Sequence, residues 1–119
     1  MQKKKGIKVL RPTLREKKRY LVYSLDYFGE KAPQDVAVKE NLERGILGFI
    51  GELGYGKAGV MFVKSSGKKG ILRVGSKYVD YVRTGLMTVT KIGTHDTMVK
   101  CVGLSGNFNK AEKIYEHTT

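Results

Sequence analysis

A chain of 119 residues carrying 23 Lys and Arg against 11 Asp and Glu has a formal charge of +12 and must find counter-charge outside itself. Its 40% hydrophobic content, with seven Tyr and four Phe, suffices for one packed domain and excludes wholesale disorder. A single cysteine, Cys101, excludes an intrachain disulfide framework and suits a reducing cytoplasm. No apolar run approaches the roughly 18 to 20 residues that span a bilayer, and no apolar h-region follows the opening lysines.

Residues 1–19 read as a basic arm and 20–119 as a single domain. The arm holds Lys3, Lys4, Lys5, Lys8, Arg11, Arg15, Lys17, Lys18 and Arg19 against one acid, Glu16. Each of these groups must stay hydrated or meet an opposite charge, so the segment cannot help a core form. A nucleic-acid backbone supplies that charge; a solvated tail is the plainer alternative. An anionic membrane is a poorer fit, because Ile7, Val9, Leu10 and Leu14 are too few for an interfacial anchor. Pro12 interrupts any early helix, although Thr13 can cap a short turn from Leu14 to Lys18.

Tyr20 to Tyr27 alternates as a strand, with Leu21, Tyr23, Leu25 and Tyr27 on one face and Tyr20, Val22, Ser24 and Asp26 on the other. Gly29 and Pro33 mark a turn. Val38, Leu42, Ile46, Phe49, Ile50 and Leu53 then recur at helical spacing, predicting a helix from Pro33 to Leu53 that Gly54 ends, with a Gly-rich loop through Gly56 and Gly59. Gly45, Gly48 and Gly51 recur every third residue inside it, either as a smooth stripe against another backbone or as tolerated cost. Val60–Lys64 and Gly70–Val74 read as strands joined by the hairpin loop Ser65–Lys69. Ser76 is placed to cap a second helix bearing Tyr78, Val79, Val82, Leu86 and Val89. Gly93 to Asp96 form a loop, Thr97 to Leu104 a fourth strand, and a terminal helix follows with Phe108, Ala111, Ile114 and Tyr115 on its apolar side. The order β-α-β-β-α-β predicts an α+β, ferredoxin-like or RRM-like sandwich: a four-stranded antiparallel sheet, two helices on one face, and a short C-terminal helix.

Catalytic and metal constellations are absent from this reading. His95 and Asp96 are adjacent loop residues, His117 is terminal, and Cys101 reads as a small core side chain. Gly51-Glu52-Leu53-Gly54-Tyr55-Gly56 neither follows a strand nor opens a helix, so it is no phosphate cradle. Lys57-Ala58-Gly59-Val60-Met61-Phe62-Val63 lacks the spaced aromatics on which an RNA-recognition motif stacks bases. The remaining candidates are cations: Lys68, Lys69 and Arg73 on the central hairpin, and Lys77 and Arg83 beyond it. Arg73 in particular is expected where arm and hairpin meet, on an RNA phosphate.

Two stretches together resemble a known family. Arg11-Pro12-Thr13-Leu14-Arg15-Glu16-Lys17-Lys18-Arg19-Tyr20 leads into the first strand, and Gly70-Ile71-Leu72-Arg73-Val74 precedes Tyr78-Val79-Asp80-Tyr81-Val82-Arg83. The combination is similar to the archaeal ribonuclease P protein component 2 family, relatives of the eukaryotic Pop-type subunit, from about Leu10 to Tyr115. Where that family reads close to Ser-Gly-Thr-Ile before its last helix, Ser105 and Gly106 match and Asn107 and Phe108 do not. The resemblance implies a subunit of the ribonucleoprotein endonuclease that removes the 5′ leader of precursor tRNA. It implies catalysis by ribonuclease P RNA with magnesium, no cofactor in this chain, and a cytoplasmic location. As partners it implies protein component 3, possible heterotetramer assembly with it, and the other ribonuclease P proteins, with contacts on the first helix and the Gly-rich loop. The rivals are a general RNA-binding or ribosomal protein, and an acylphosphatase-like enzyme on the same scaffold. The latter needs an Arg in a phosphate-holding loop directly after the first strand, where this chain has Asp26-Tyr27-Phe28-Gly29-Glu30, whose acids would repel an anionic substrate.

Overall fold

The computed structural model describes residues 17–28, 34–93 and 95–118. In chain order these form β1 (Lys18–Phe28), α1 (Asp35–Ala58), β2 (Met61–Ser65), β3 (Lys69–Gly75), a 3₁₀ turn (Ser76–Tyr78), α2 (Val79–Met87), β4 (Lys91–Ile92), β5 (His95–Ser105) and α3 (Phe108–His117). The predicted turn at Gly29 and Pro33 lies outside the described residues. One antiparallel sheet runs β2-β3-β1-β5-β4.

The alternation of β1 sorts the molecule into two cores. Leu21, Tyr23 and Leu25 join Leu72, Val74 and Val99 under Val38, Leu42 and Ile46 of α1 and Val79, Val82 and Leu86 of α2. Val22 and Ile71 on the opposite face meet Ala111, with Tyr20, Phe108, Ile114 and Tyr115 around them. The sheet is therefore covered on both faces, by α1 and α2 on one side and by α3 on the other. Gly103 of β5 makes the second packing possible, since a Cβ there would stand 2.8 Å from Ile114 Cδ1.

Three details of the expected architecture are corrected, and a departure from the family pattern finds its place. The sheet has five strands, because Gly93 at φ 63° folds Ile92 back to pair with His95 where a loop was expected. α1 does not stop at Gly54: it breaks at Gly51 (φ 77°, ψ 169°), resumes to Ala58 and ends on the left-handed Gly59. Ser76 makes no side-chain cap; it opens the 3₁₀ turn, and its N–H donates to the Lys17 carbonyl at 2.8 Å. Asn107, the departure from the family pattern, caps α3 by accepting from the N–H groups of Asn109 (2.8 Å) and Lys110 (3.3 Å). Phe108 beside it packs edge-on against Tyr20, ring centres 5.4 Å apart.

The glycine stripe of α1 splits in its causes. α1 and α2 cross at Gly45 and Gly85, where a Cβ on Gly85 would lie 2.9 Å from the Ile46 Cα. Gly48 faces open space. Alanine at position 85 is therefore expected to force the helices apart and lower stability by about 1–3 kcal/mol. Gly48→Ala should raise it by about 0.5–1 kcal/mol, because it removes only backbone entropy. Urea-denaturation midpoints of the two variants, at equal slope, check the opposite signs.

Candidate nucleic-acid interface

One end of the sheet collects cations by register. β1 begins with Lys18 opposite Gly75, Arg19 opposite Val74 and Tyr20 opposite Arg73. Arg73 and Lys18 thus fall on the α3 face, while Arg19 shares the phase of Leu21. Lys17 and Lys77 are exposed at the same end, tied together where Ser76 bonds the Lys17 carbonyl. Lys57 in the last turn of α1 also arrives there, two residues before Gly59.

Lys18 and Arg19 are half-buried. Lys18 extends to Gly59, where a Cβ would sit 3.3 Å from its Nζ, and the Arg19 guanidinium lies over Gly106. The stems are covered while the charged heads remain at the rim. Among the described residues, the ion pairs are Lys64–Glu112 (2.8 Å), Arg83–Asp80 (3.9 Å), Lys91–Asp96 (3.9 Å) and Lys100–Asp26 (2.6 Å). None involves Lys18, Arg19, Arg73 or Lys77. The carboxylates of these ion pairs lie elsewhere on the domain, and like charges gather at the arm end.

The expected hairpin cluster is split. Lys69 pairs with Ser24, at the far end of β3 from Gly75, roughly 20 Å along a seven-residue strand. Its Nζ donates to the carbonyls of Tyr115 (2.7 Å) and Thr118 (2.9 Å) and sits 4.5 Å from the Tyr115 ring centre. Lys69 therefore holds the C-terminus of α3, where unpaired carbonyls favour a cation. Lys64 works beside it through Glu112, whose hydrogen bond raises the lysine pKa above its ordinary value. Lys68 is exposed, and its carbonyl accepts from Leu25 N–H at 2.7 Å. Arg73 alone of the hairpin set joins the arm end. Lys3, Lys4, Lys5, Lys8, Arg11 and Arg15 lie outside the described residues, which begin at Lys17.

The sequence reading missed Lys57, because a glycine-rich stretch hid the last turn of α1. It grouped Arg83 with Lys77 among the candidate cations beyond the hairpin. Arg83 lies beside Cys101, whose thiol is pushed up by burial and held back by that guanidinium. His95 and Asp96 do not form a pair. Successive strand residues face opposite ways: His95 packs edge-on against Tyr27 at 6.3 Å, and Asp96 faces Lys91. Among the described residues, no group of three or more His, Cys, Asp or Glu is placed to hold a metal ion, and no helix is long and apolar enough to cross a membrane.

A model of the family described as Rpp14/Pop5 matches residues 19–116. The protein "Ribonuclease P protein component 2" of Thermococcus gammatolerans is 34% identical over 110 residues, covering 91% of this chain and 90% of its own. The protein of the same name from Methanocaldococcus jannaschii is 33% identical over 106 residues, covering 89% and 78%. A chain in a cryo-EM structure of yeast Ribonuclease MRP shares the fold, with a TM-score of 0.55 at 14% identity over 77% of this chain and 76% of that one.

The two hairpin lysines give a direct check of the geometry. Lys69→Met, which keeps the stem and removes the charge, is expected to lower folding stability by about 1–2 kcal/mol and to speed amide exchange in α3 first. Lys68→Met should stay within about 0.5 kcal/mol of the parent.

Proposed function

The chain belongs to the Rpp14/Pop5 family, and from that premise we propose a mechanism for it as a protein subunit of ribonuclease P, the ribonucleoprotein endonuclease of tRNA processing. Its part is electrostatic. The arm, carrying nine cations against one acid with Lys17, Lys18 and Arg19 included, runs into a sheet end already bearing Arg73 and Lys77. That convergence of charge, with no ion pair on Lys17, Lys18, Arg19, Arg73 or Lys77 among the described residues, is the observation that carries the reading. Each cation set against an RNA phosphate releases condensed counterions, so affinity falls with salt by a slope of about −0.7 per contact on single strands. With repulsion between RNA strands lowered, the catalytic RNA folds and binds precursor tRNA at a lower magnesium concentration. Hydrolysis belongs to that RNA and its magnesium ions, and this chain contributes no reacting group.

The protein side of the particle is the other half of the proposal. α1 exposes Val36, Leu47, Phe49 and Leu53, the last at 73%, four of the twelve large apolar side chains exposed among the described residues. Exposed apolar side chains of this density favour a protein neighbour over water. We assign them to protein component 3, in an assembly that can double to a heterotetramer, inside the cytoplasm. The arm-end cations and α1 would then divide the surface between RNA and protein.

Two variants test the electrostatic part. Removing residues 1–16 deletes six cations and is expected to flatten the salt dependence of ribonuclease P RNA binding by about 4 in slope. It should also raise the magnesium concentration at half-maximal cleavage in the reconstituted particle. Arg73→Ala should flatten the slope by about 0.7 with an unchanged melting profile. Unaltered slope and magnesium requirement in both variants would overturn the reading.

A further inference from the structure

We infer that Gly106 is a positioning residue for Arg19, holding its guanidinium as a preset ligand for an RNA phosphate. The inference rests on the electrostatic reading above and adds a specific geometric cause to it.

Glycine has two ordinary reasons to occupy a turn, and neither operates here. The first is a left-handed backbone. The positive-φ glycines among the described residues are Gly51, Gly59 and Gly93, so position 106 takes a conformation open to any residue. The second is close approach of another backbone, as at Gly85. Among the described residues, and apart from its own chain neighbours, the atoms that a Cβ at position 106 would meet within 4 Å are the Nη1 and Cζ of Arg19, with Cζ at 3.6 Å. Among those residues, the space above this glycine is taken by one cation.

The consequence follows from the chemistry of that cation. Arginine presents a planar fork of N–H donors that matches a phosphate bidentately, but a long free side chain must be ordered before it can do so. Laid over the bare Cα of Gly106, the guanidinium is placed at the turn before RNA arrives. The turn itself is rigid: the Ser105 hydroxyl accepts from Asn107 N–H at 3.0 Å, and Asn107 caps α3. Lys18, the preceding residue, leaves β1 on the other face and reaches across β3 to Gly59. Two adjacent residues thus spread their charges to the two sides of the sheet end, each over a glycine, where a phosphate backbone can follow them.

The test is a double-mutant cycle on the full-length protein, binding in vitro transcribed ribonuclease P RNA over a range of salt. Gly106→Ala displaces the end of one flexible side chain, so its melting temperature should match that of the parent. It is expected to weaken binding about three- to tenfold and to flatten the salt slope by about 0.7, as Arg19→Ala does. In the Arg19→Ala background, Gly106→Ala should add no further loss. Arg19→Lys keeps the charge without the fork and leaves position 106 untouched; it should lose about as much as Gly106→Ala. If Arg19→Ala weakens binding while Gly106→Ala or Arg19→Lys binds like the parent, the positioning role is overturned and the electrostatic reading stands. The role is equally overturned if Gly106→Ala costs as much without Arg19 as with it. Indifference of RNA binding to Arg19→Ala, Arg73→Ala and loss of residues 1–16 alike would instead bring down the electrostatic reading itself.

Discussion

β1 is dry on both faces, and that constraint organises the rest of the molecule. A strand between two cores can carry no charge along its middle, since an unpaired ion there would cost several kcal/mol. Leu21 to Leu25 accordingly hold five buried positions in a row, with Ser24 as the polar member. Charge becomes permissible only where the cores end. At the C-terminal end Asp26 appears and is met by Lys100 at 2.6 Å. At the N-terminal end Arg19 and Lys18 appear, and among the described residues no carboxylate meets them. The same strand that builds the fold therefore sets where its unpaired charge begins.

The acids account for the difference between the two ends. Asp26, Asp80, Asp96 and Glu112 each sit within 4.0 Å of a cation on the body of the domain. Exposed pairs of this kind contribute little stability one by one, typically about 0–1 kcal/mol. Their arrangement matters more than their strength: it holds four cations of the body in local pairs, while residues 1–19, with nine cations against one acid, carry +8 of the formal +12. A field distributed in this way steers a polyanion to one end of the sheet, which a uniform scatter of lysines would not do.

How much of this was legible in the sequence depends on how many residues carried each signal. The alternation from Tyr20 to Tyr27 sorted both faces of β1 correctly, since eight positions agree on one period. The helical period through Val38, Leu42 and Ile46 found α1, but not its true end, because Gly54 looks like a terminator when read from composition, whereas the helix resumes after its break at Gly51 and runs to Ala58. β4 has two residues, too few to hold any period, and was read as loop. The glycines illustrate the limit best. Gly45 and Gly48 look alike in sequence, yet one admits α2 and the other faces solvent, a distinction that exists only across the chain fold. Lys68 and Lys69 are likewise adjacent and chemically identical. One lies exposed in the hairpin bend and the other is the first residue of β3, where its side chain reaches the end of α3.

Crowding like charges at one edge has an energetic consequence for the isolated chain. Lys17, Lys18, Arg19, Arg73 and Lys77 repel one another across the end of the sheet, and that repulsion opposes folding until a counter-charge arrives. The two cores must supply the difference: fifteen buried residues on the α1–α2 side, and a second layer beneath α3 fastened by Lys69 and Lys64. Anything that binds the folded form through those cations then stabilises it by mass action, in proportion to the logarithm of its concentration over Kd. On the electrostatic reading proposed above, RNA binding and folding would be coupled through the same five side chains. RNA would then hold such a chain in place as much as the chain orders the RNA, and the coupling would weaken as salt rises, because the repulsion and the attraction are screened together.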